Sequence, residues 1–281
     1  MRVIINADDF GLNKEVNSAI ATAIKKGAIS SSTILANTIF IDDISSFVKA
    51  YPSCSYGVHL NVTEGVSLTQ DEKLFEYGII DEEGFFNKER SSVIFKSTPK
   101  SNLQELVYRE WKAQVQRLLD HGIIPSHIDG HHHSHTWPGL VDVTIKLAEE
   151  FSIKRVRNML NLPQNNLLSK ATRRVGRALS FSRFGDLRFL KTNNRFFQSV
   201  SFNQRLDYYN KRLRECNLLT TDFFAQYSVF SSRIEQMRGI GNHTIELMCH
   251  PGHPLFEEEY NQILVKKIVN DNDLISYKDL Y

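Results

Sequence analysis

The chain reads as an α/β fold built on parallel strands, and three observations carry that expectation. Short apolar runs of the buried-strand type alternate with segments of helical periodicity. Most connections between them are short. Chemically active side chains collect where the runs end: Asp8 and Asp9, His59, Asp129 and His131, and His250. In parallel sheets and barrels that end is where active sites gather. Alternation alone allows an open sheet or a closed barrel.

Val3-Ile4-Ile5 begins the first strand, which runs into Asn6-Ala7-Asp8-Asp9. Asn13 is placed to cap a helix carrying Val16, Ile20, Ala23 and Ile24 at helical spacing, stopped by Gly27. Ser31 to Ala36 reads as a second strand, Ile44 to Ala50 as a short helix and Tyr56 to Val62 as a third strand. Residues 64–100 carry turn signals such as Glu83-Gly84 and read as a long loop or insertion. Leu103 to Leu119 places Leu103, Leu106, Val107, Trp111, Val115 and Leu118 on one side of a helix. Pro125 breaks the chain before a strand over residues 126–131. Leu140 to Phe151 is a helix, and Arg155-Val156-Arg157 a short strand. Thr220 to Tyr227 and Thr244 to Cys249 are further strands, the last ending at His250-Pro251-Gly252-His253.

With 281 residues, 41% of them hydrophobic and 23% charged, the chain has ample material for the core of one large domain or two small ones. No run of 18 apolar residues occurs, so no transmembrane helix is expected. The N-terminal stretch becomes acidic too soon for a signal peptide, and Cys54, Cys216 and Cys249 are too scattered for a disulfide scaffold. A cytoplasmic location is the expectation. The net charge of +2 hides an uneven spread, with twelve Lys/Arg against three Asp/Glu between Asn165 and Glu215. That stretch interleaves Phe181, Phe184, Phe189, Phe196 and Phe197 with the basic residues. It reads either as a solvated helix face or as a collar for an anionic partner, such as a membrane surface or a phosphorylated glycan carrier. No motif supports nucleic acid as a partner.

The most informative stretch is His127-Ile128-Asp129-Gly130-His131-His132-His133-Ser134-His135, which holds five of the ten histidines. On a strand, period-two geometry puts His127, Asp129 and His131 on one face, a wall suited to a divalent metal. The run is internal and interrupted, unlike an expression tag. Periodicity does not choose between His127 and His131 as a ligand. Asp8 and Asp9 point to opposite sides of an extended strand. They serve one site only if the backbone turns there, which nearby Gly11 permits; capping of the following helix is the plainer alternative. His59 alone reads as a core histidine, and His250 as a residue at a strand-to-loop junction.

Taken together, Asn6-Ala7-Asp8-Asp9-Phe10-Gly11, Gly57-Val58-His59-Leu60 with Thr63-Glu64-Gly65, the block from His127 to His133, and Met248-Cys249-His250-Pro251 resemble the YdjC-like carbohydrate deacetylases. The resemblance implies a single domain over residues 1–281 with an irregular, TIM-barrel-like (β/α) barrel, in which 64–100 and 165–215 are insertions that shape the substrate site. It implies a homodimer that removes N-acetyl groups from amino sugars, oligosaccharides or glycoconjugates, releasing acetate with one divalent metal. By the same resemblance Asp9, His59 and His131 are the metal ligands, Asp8 is the general base and His250 a candidate general acid. His127 and Asp129 then orient the ligands. Gly130 stands where the pattern has serine, a small-for-small change expected to leave the site undisturbed. Two imidazoles and a carboxylate suit zinc, iron, manganese or cobalt, and oxygen-rich surroundings admit magnesium. Two other readings share the barrel. A metal-dependent phosphoester or other amide hydrolase is one, although two-metal phosphatases need more bridging carboxylates. A non-catalytic glycan-binding relative is the other, and the presence of both Asp8 and His250 argues against it.

Overall fold

The computed structural model describes residues 1–96, 101–159, 195–228, 242–265 and 273–281. Its strands are β1 (Arg2–Phe10), β2 (Ser31–Ile34), β3 (Ser55–Leu60), β4 (Ile128–Gly130), β5 (Phe223–Gln226) and β6 (Thr244–Cys249). They form one sheet in the order β4-β3-β2-β1-β6-β5, and every neighbouring pair is parallel. The helices are α1 (Lys14–Lys25), α2 (Ile41–Ala50), α3 (Glu72–Glu76), α4 (Lys88–Phe95), α5 (Ser101–Asp120), α6 (Val141–Glu150), α7 (Arg195–Glu215) and α8 (Glu257–Val265).

Two stretches outside these strands curl the sheet into an irregular barrel. Val156 bridges Ile128 beyond the β4 edge, and Arg155 in turn bridges Leu219. Four residues after Leu219 the chain enters β5, which pairs with β6 at the opposite edge. Residues 219–226 therefore span the gap between the two edges. The fold is the expected irregular (β/α) barrel.

Sequence accounts for most of this framework. Strands β1, β2, β3 and β6 are buried along nearly their whole lengths, which is why they read as continuous apolar runs rather than alternating ones. Asn13 caps α1 as expected, its side chain accepting from the Val16 amide at 2.9 Å. That leaves the neighbouring aspartates free of the capping role. In α5 the predicted stripe is buried, with Trp111, Val115 and Leu118 wholly out of solvent.

Two expectations need adjustment, and a third lies mostly outside the described residues. Residues 64–100 hold α3 and α4, each begun by a side-chain cap, Asp71 and Asn87 respectively. The strand expected over 126–131 is short, because a 3-10 turn over His131–Thr136 takes over directly after Gly130. Of the basic stretch 165–215, only Arg195–Glu215 falls within the described residues. Among the described residues no helix is long and apolar enough to cross a membrane.

Candidate active site

The backbone turns at Asp9 itself. Its φ of 71° lies in the left-handed region, and the β1–β2 register shifts between Ala7 and Phe10. Such a conformation costs a non-glycine residue about 1–3 kcal/mol, least for Asp and Asn. The turn places both aspartates inside the barrel, which an extended strand forbids.

Asp9 meets two histidines there. Its Oδ1 lies 3.1 Å from His59 Nε2 and 2.7 Å from His131 Nδ1, and the two nitrogens are 3.3 Å apart. All three side chains are buried. Asp9 Oδ1 nevertheless has no partner of hydrogen-bonding geometry among the described residues. Donors bound to one zinc or magnesium at about 2.0–2.2 Å sit roughly 3–3.5 Å from one another. The convergence and the unmet buried oxygen both fit a divalent cation.

His59 and Asp129 are cross-strand partners on β3 and β4, and His59 Nδ1 is 2.7 Å from Asp129 Oδ1. That contact fixes which nitrogen faces Asp9: Nδ1 serves the carboxylate, leaving the Nε2 lone pair for the centre. Burial alone lowers the His59 pKa, but Asp129, with Asp9 and Asp8, overturns this and raises it to about 10. For Asp9, burial raises the pKa, while His131 and His59 hold it well below the carboxylate range.

Asp8 turns away from that trio to Arg157, which donates from Nη1 to Oδ2 at 2.8 Å and from Nη2 to Oδ1 at 2.6 Å. Burial raises the Asp8 pKa; the guanidinium outweighs burial and keeps the carboxyl ionised, with His59 and His250 adding to the effect. Arg157 is wholly buried and also reaches Asp129 Oδ2 at 2.8 Å and Glu246 Oε1 at 2.7 Å. Burial lifts Glu246 to about 7 against the pull of Arg157. Tyr277 donates its hydroxyl to Glu246. Neither Arg157 nor Glu246 belongs to the expected site, although a charge inside the apolar run of β6 is a signal that a buried partner exists.

His250 follows β6, whose Cys249 pairs with Ala7 in register, so it stands beside Asp8 at the barrel mouth. Its ring stacks on Phe256 at 4.7 Å, and its amide donates to Glu259 Oε1. His127 is set apart. Its ring packs over Gly57 and stacks on Tyr277 at 3.6 Å, one strand step below His59 and Asp129. Burial holds it neutral, well below the usual histidine range. At Gly130 the space is tight: a Cβ there meets Ser134 Oγ at 2.9 Å and the His135 amide at 3.0 Å.

A family model described as YdjC-like protein matches residues 2–277. The chain belongs to the YdjC-like family. Among its relatives is a carbohydrate deacetylase of Halalkalibacterium halodurans, 34% identical over 59% of this chain and 68% of that one. A carbohydrate deacetylase of Clostridium beijerinckii is 27% identical over 90% of this chain and 82% of its own. A crystal structure from Enterococcus faecalis V583, provisionally named a cellobiose-phosphate cleavage protein, superposes with a TM-score of 0.66. It covers 99% of this chain and 97% of its own at 22% identity, and so bears on the fold alone.

Proposed function

We propose that this YdjC-like protein is a metal-dependent carbohydrate N-deacetylase, hydrolysing the acetamide of an amino sugar to acetate and a free amine. The observation that carries the reading is the convergence of Asp9, His59 and His131 beside an ionised Asp8. Relatives named carbohydrate deacetylases support the bond and the substrate class.

Asp9, His59 and His131 would hold a divalent cation, which would supply Lewis acidity toward the acetyl carbonyl and water. Every other part belongs to side chains of this protein. Asp8, held in place at both oxygens by Arg157, accepts the proton of the attacking water. The new C–O bond forms at the acetyl carbon. His250 protonates the sugar nitrogen as the C–N bond breaks. Asp129 keeps the His59 ring in one orientation, and His127 supports the floor beneath through Tyr277.

The proposal includes one ion, zinc or magnesium, a single domain, a homodimer and a cytoplasmic setting. Residues 64–100 shape the mouth, consistent with Glu64 and Lys88 reaching the His131-His132 turn. An anionic or membrane-bound glycoconjugate is the favoured substrate form on the charge of residues 165–215; Arg212 within that stretch is already engaged with Asp142 and Glu215. Retention on anionic liposomes at low salt tests this, and failure together with no preference for phosphorylated or lipid-linked sugars removes it.

The deciding experiment is acetate release from N-acetylglucosamine oligomers by the metal-loaded protein, with Asp8→Asn alongside. Release that disappears in the variant while metal stays bound supports the reading. Absence of release from oligomers and from lipid-linked N-acetylated sugars, despite one tightly held ion, overturns it.

A further inference from the structure

Each histidine of the candidate centre has a second ring nitrogen facing away from Asp9, and the two are treated differently. His59 turns its outer nitrogen to Asp129, which is wholly buried. His131 turns its outer nitrogen to Glu64: Oε2 lies at ion-pair distance, 3.3 Å from Nε2, a buried atom with no contact of full hydrogen-bonding geometry among the described residues. We propose that Glu64 is the positioning residue for His131, the counterpart of Asp129 for His59, and that it thereby sets the affinity of the centre for its cation. The inference rests on the reading of Asp9, His59 and His131 as ligands.

The local backbone leaves room for such a clamp. His132 and His133 have φ of 52° and 55°, so two left-handed residues break the 3-10 turn directly after His131. Thr63 Oγ1 contacts His132 Nδ1 at 2.9 Å, and Glu64 Oε1 lies 3.4 Å from His132 Nε2. The same two-residue stretch therefore touches both rings.

Glu64 is itself anchored well beyond the site. Its amide donates to Asn61 Oδ1 at 3.2 Å, and its carbonyl accepts from Asn61 Nδ2 at 2.7 Å and Asn37 Nδ2 at 3.0 Å. Gln114 on α5 holds both the amide and the carbonyl of Asn61. The wholly buried Glu110, one turn earlier on α5, accepts from Ser67 Oγ and from the Leu68 and Thr69 amides. A carboxylate this deep with several donors, and no cation on it among the described residues, is a loop anchor. What it anchors is the turn that presents Glu64.

The group Glu64, His131 and His132 also has the composition of a second cation site. Lys88 argues otherwise. Its Nζ lies 2.8 Å from His132 Nε2 and 3.5 Å from Glu64 Oε1, so an ammonium already supplies the positive charge there. Glu64 and Lys88 are each about two-fifths exposed, at 41% and 39% of the side chain, whereas Asp129 is sealed. The clamp on His131 is thus the one open to solvent and substrate.

The test measures affinity rather than turnover. Zinc binding is titrated against a chromophoric chelator for the full chain and for Glu64→Ala, Glu64→Gln and His131→Ala, with folding checked by urea unfolding. One ion per chain, weakened about 10–100-fold by Glu64→Ala and largely restored by Glu64→Gln, is the expected result, in keeping with the loss of a supporting carboxylate on a ligating histidine. Unchanged affinity in Glu64→Ala beside a loss in His131→Ala overturns the inference and leaves the centre standing. Two ions per chain, one of them lost in Glu64→Ala, overturns it in favour of a second cation site. Unchanged affinity in His131→Ala removes the ligand set itself.

Discussion

Arg157 grips both carboxylate oxygens of Asp8 at 2.6 and 2.8 Å, joining residues 149 positions apart in the chain. Two parallel N–H···O contacts fix the plane of the carboxylate as well as its charge. The same guanidinium touches Asp129 and Glu246, so a single cation holds three carboxylates contributed by β1, β4 and β6.

Removing that cation leaves buried carboxylates unpaired. Arg157→Ala is expected to lose about 3–5 kcal/mol of stability, and Arg157→Lys to recover only part, since an ammonium lacks the planar fork. Urea unfolding of the metal-free protein checks this. A shift within error of zero for Arg157→Ala refutes it.

The two aspartates separate by the kind of loss. Asp9→Asn is expected to abolish tight metal binding, because Asp9 supplies the oxygen between His59 and His131. Asp8→Asn is expected to keep the metal and to lose about 10²–10⁴-fold in kcat, the usual cost of removing a placed base. Calorimetric metal titration beside acetate release distinguishes them; equal metal affinity in both variants contradicts the assignment.

The pH dependence of the metal-free fold has two limbs. His59, raised from 6.5 to about 10, gives stability that is complete below pH 6.5 and lost as pH climbs toward about 10. His133 is lowered from 6.5 to about 3, by burial first and then Arg157, so its stability is complete above pH 6.5 and lost as pH falls toward about 3. Denaturant midpoints between pH 4 and 10 are expected to peak at about 6.5. A bound cation takes the place of the His59 proton and flattens the alkaline limb. A metal-free profile that rises steadily to pH 9 contradicts the assignment.

Gly57→Ala is expected to destabilise by roughly 1–3 kcal/mol, the usual cost of overpacking. A Cβ there lies 2.5 Å from His127 Cε1, and the ring has nowhere to go because Tyr277 stacks on its other face. Thermal unfolding measures it, and wild-type stability in Gly57→Ala means the ring is free to move.

Much of this architecture is legible in sequence because local chemistry dictates it. The buried strands announce themselves as apolar runs, Asn13 as a cap, and the α5 stripe by its spacing. Strand ends marked where polar side chains gather, and the resemblance to the YdjC-like family singled out Asp9, His59 and His131 among them. Arg157 could not be singled out, since its meaning lies in contacts to residues 8, 129 and 246, and a basic residue in a short run looks solvated. The turn at Asp9 was equally hidden. Gly11 suggested flexibility nearby, yet an aspartate carries the left-handed conformation that admits both carboxylates. Gly130 reads as a neutral exchange, and the sequence gives no sign of how closely Ser134 and His135 pack against it.

The pairing of β1 with β6 gives this protein a particular order of assembly. Asp8 and Asp9 precede their β6 partners by most of the domain: one flank of their strand waits for residues 244–249, and Val3 waits for its bonds to Asp273 and Ile275. Until those residues arrive β1 is a half-paired apolar edge, the kind of surface on which aggregates start. Contacts so distant in sequence are slow to close. The centre that joins residues 9, 59 and 131 therefore rests on a frame closed by strands far apart in sequence, and its cup is finished only when β6 docks on β1.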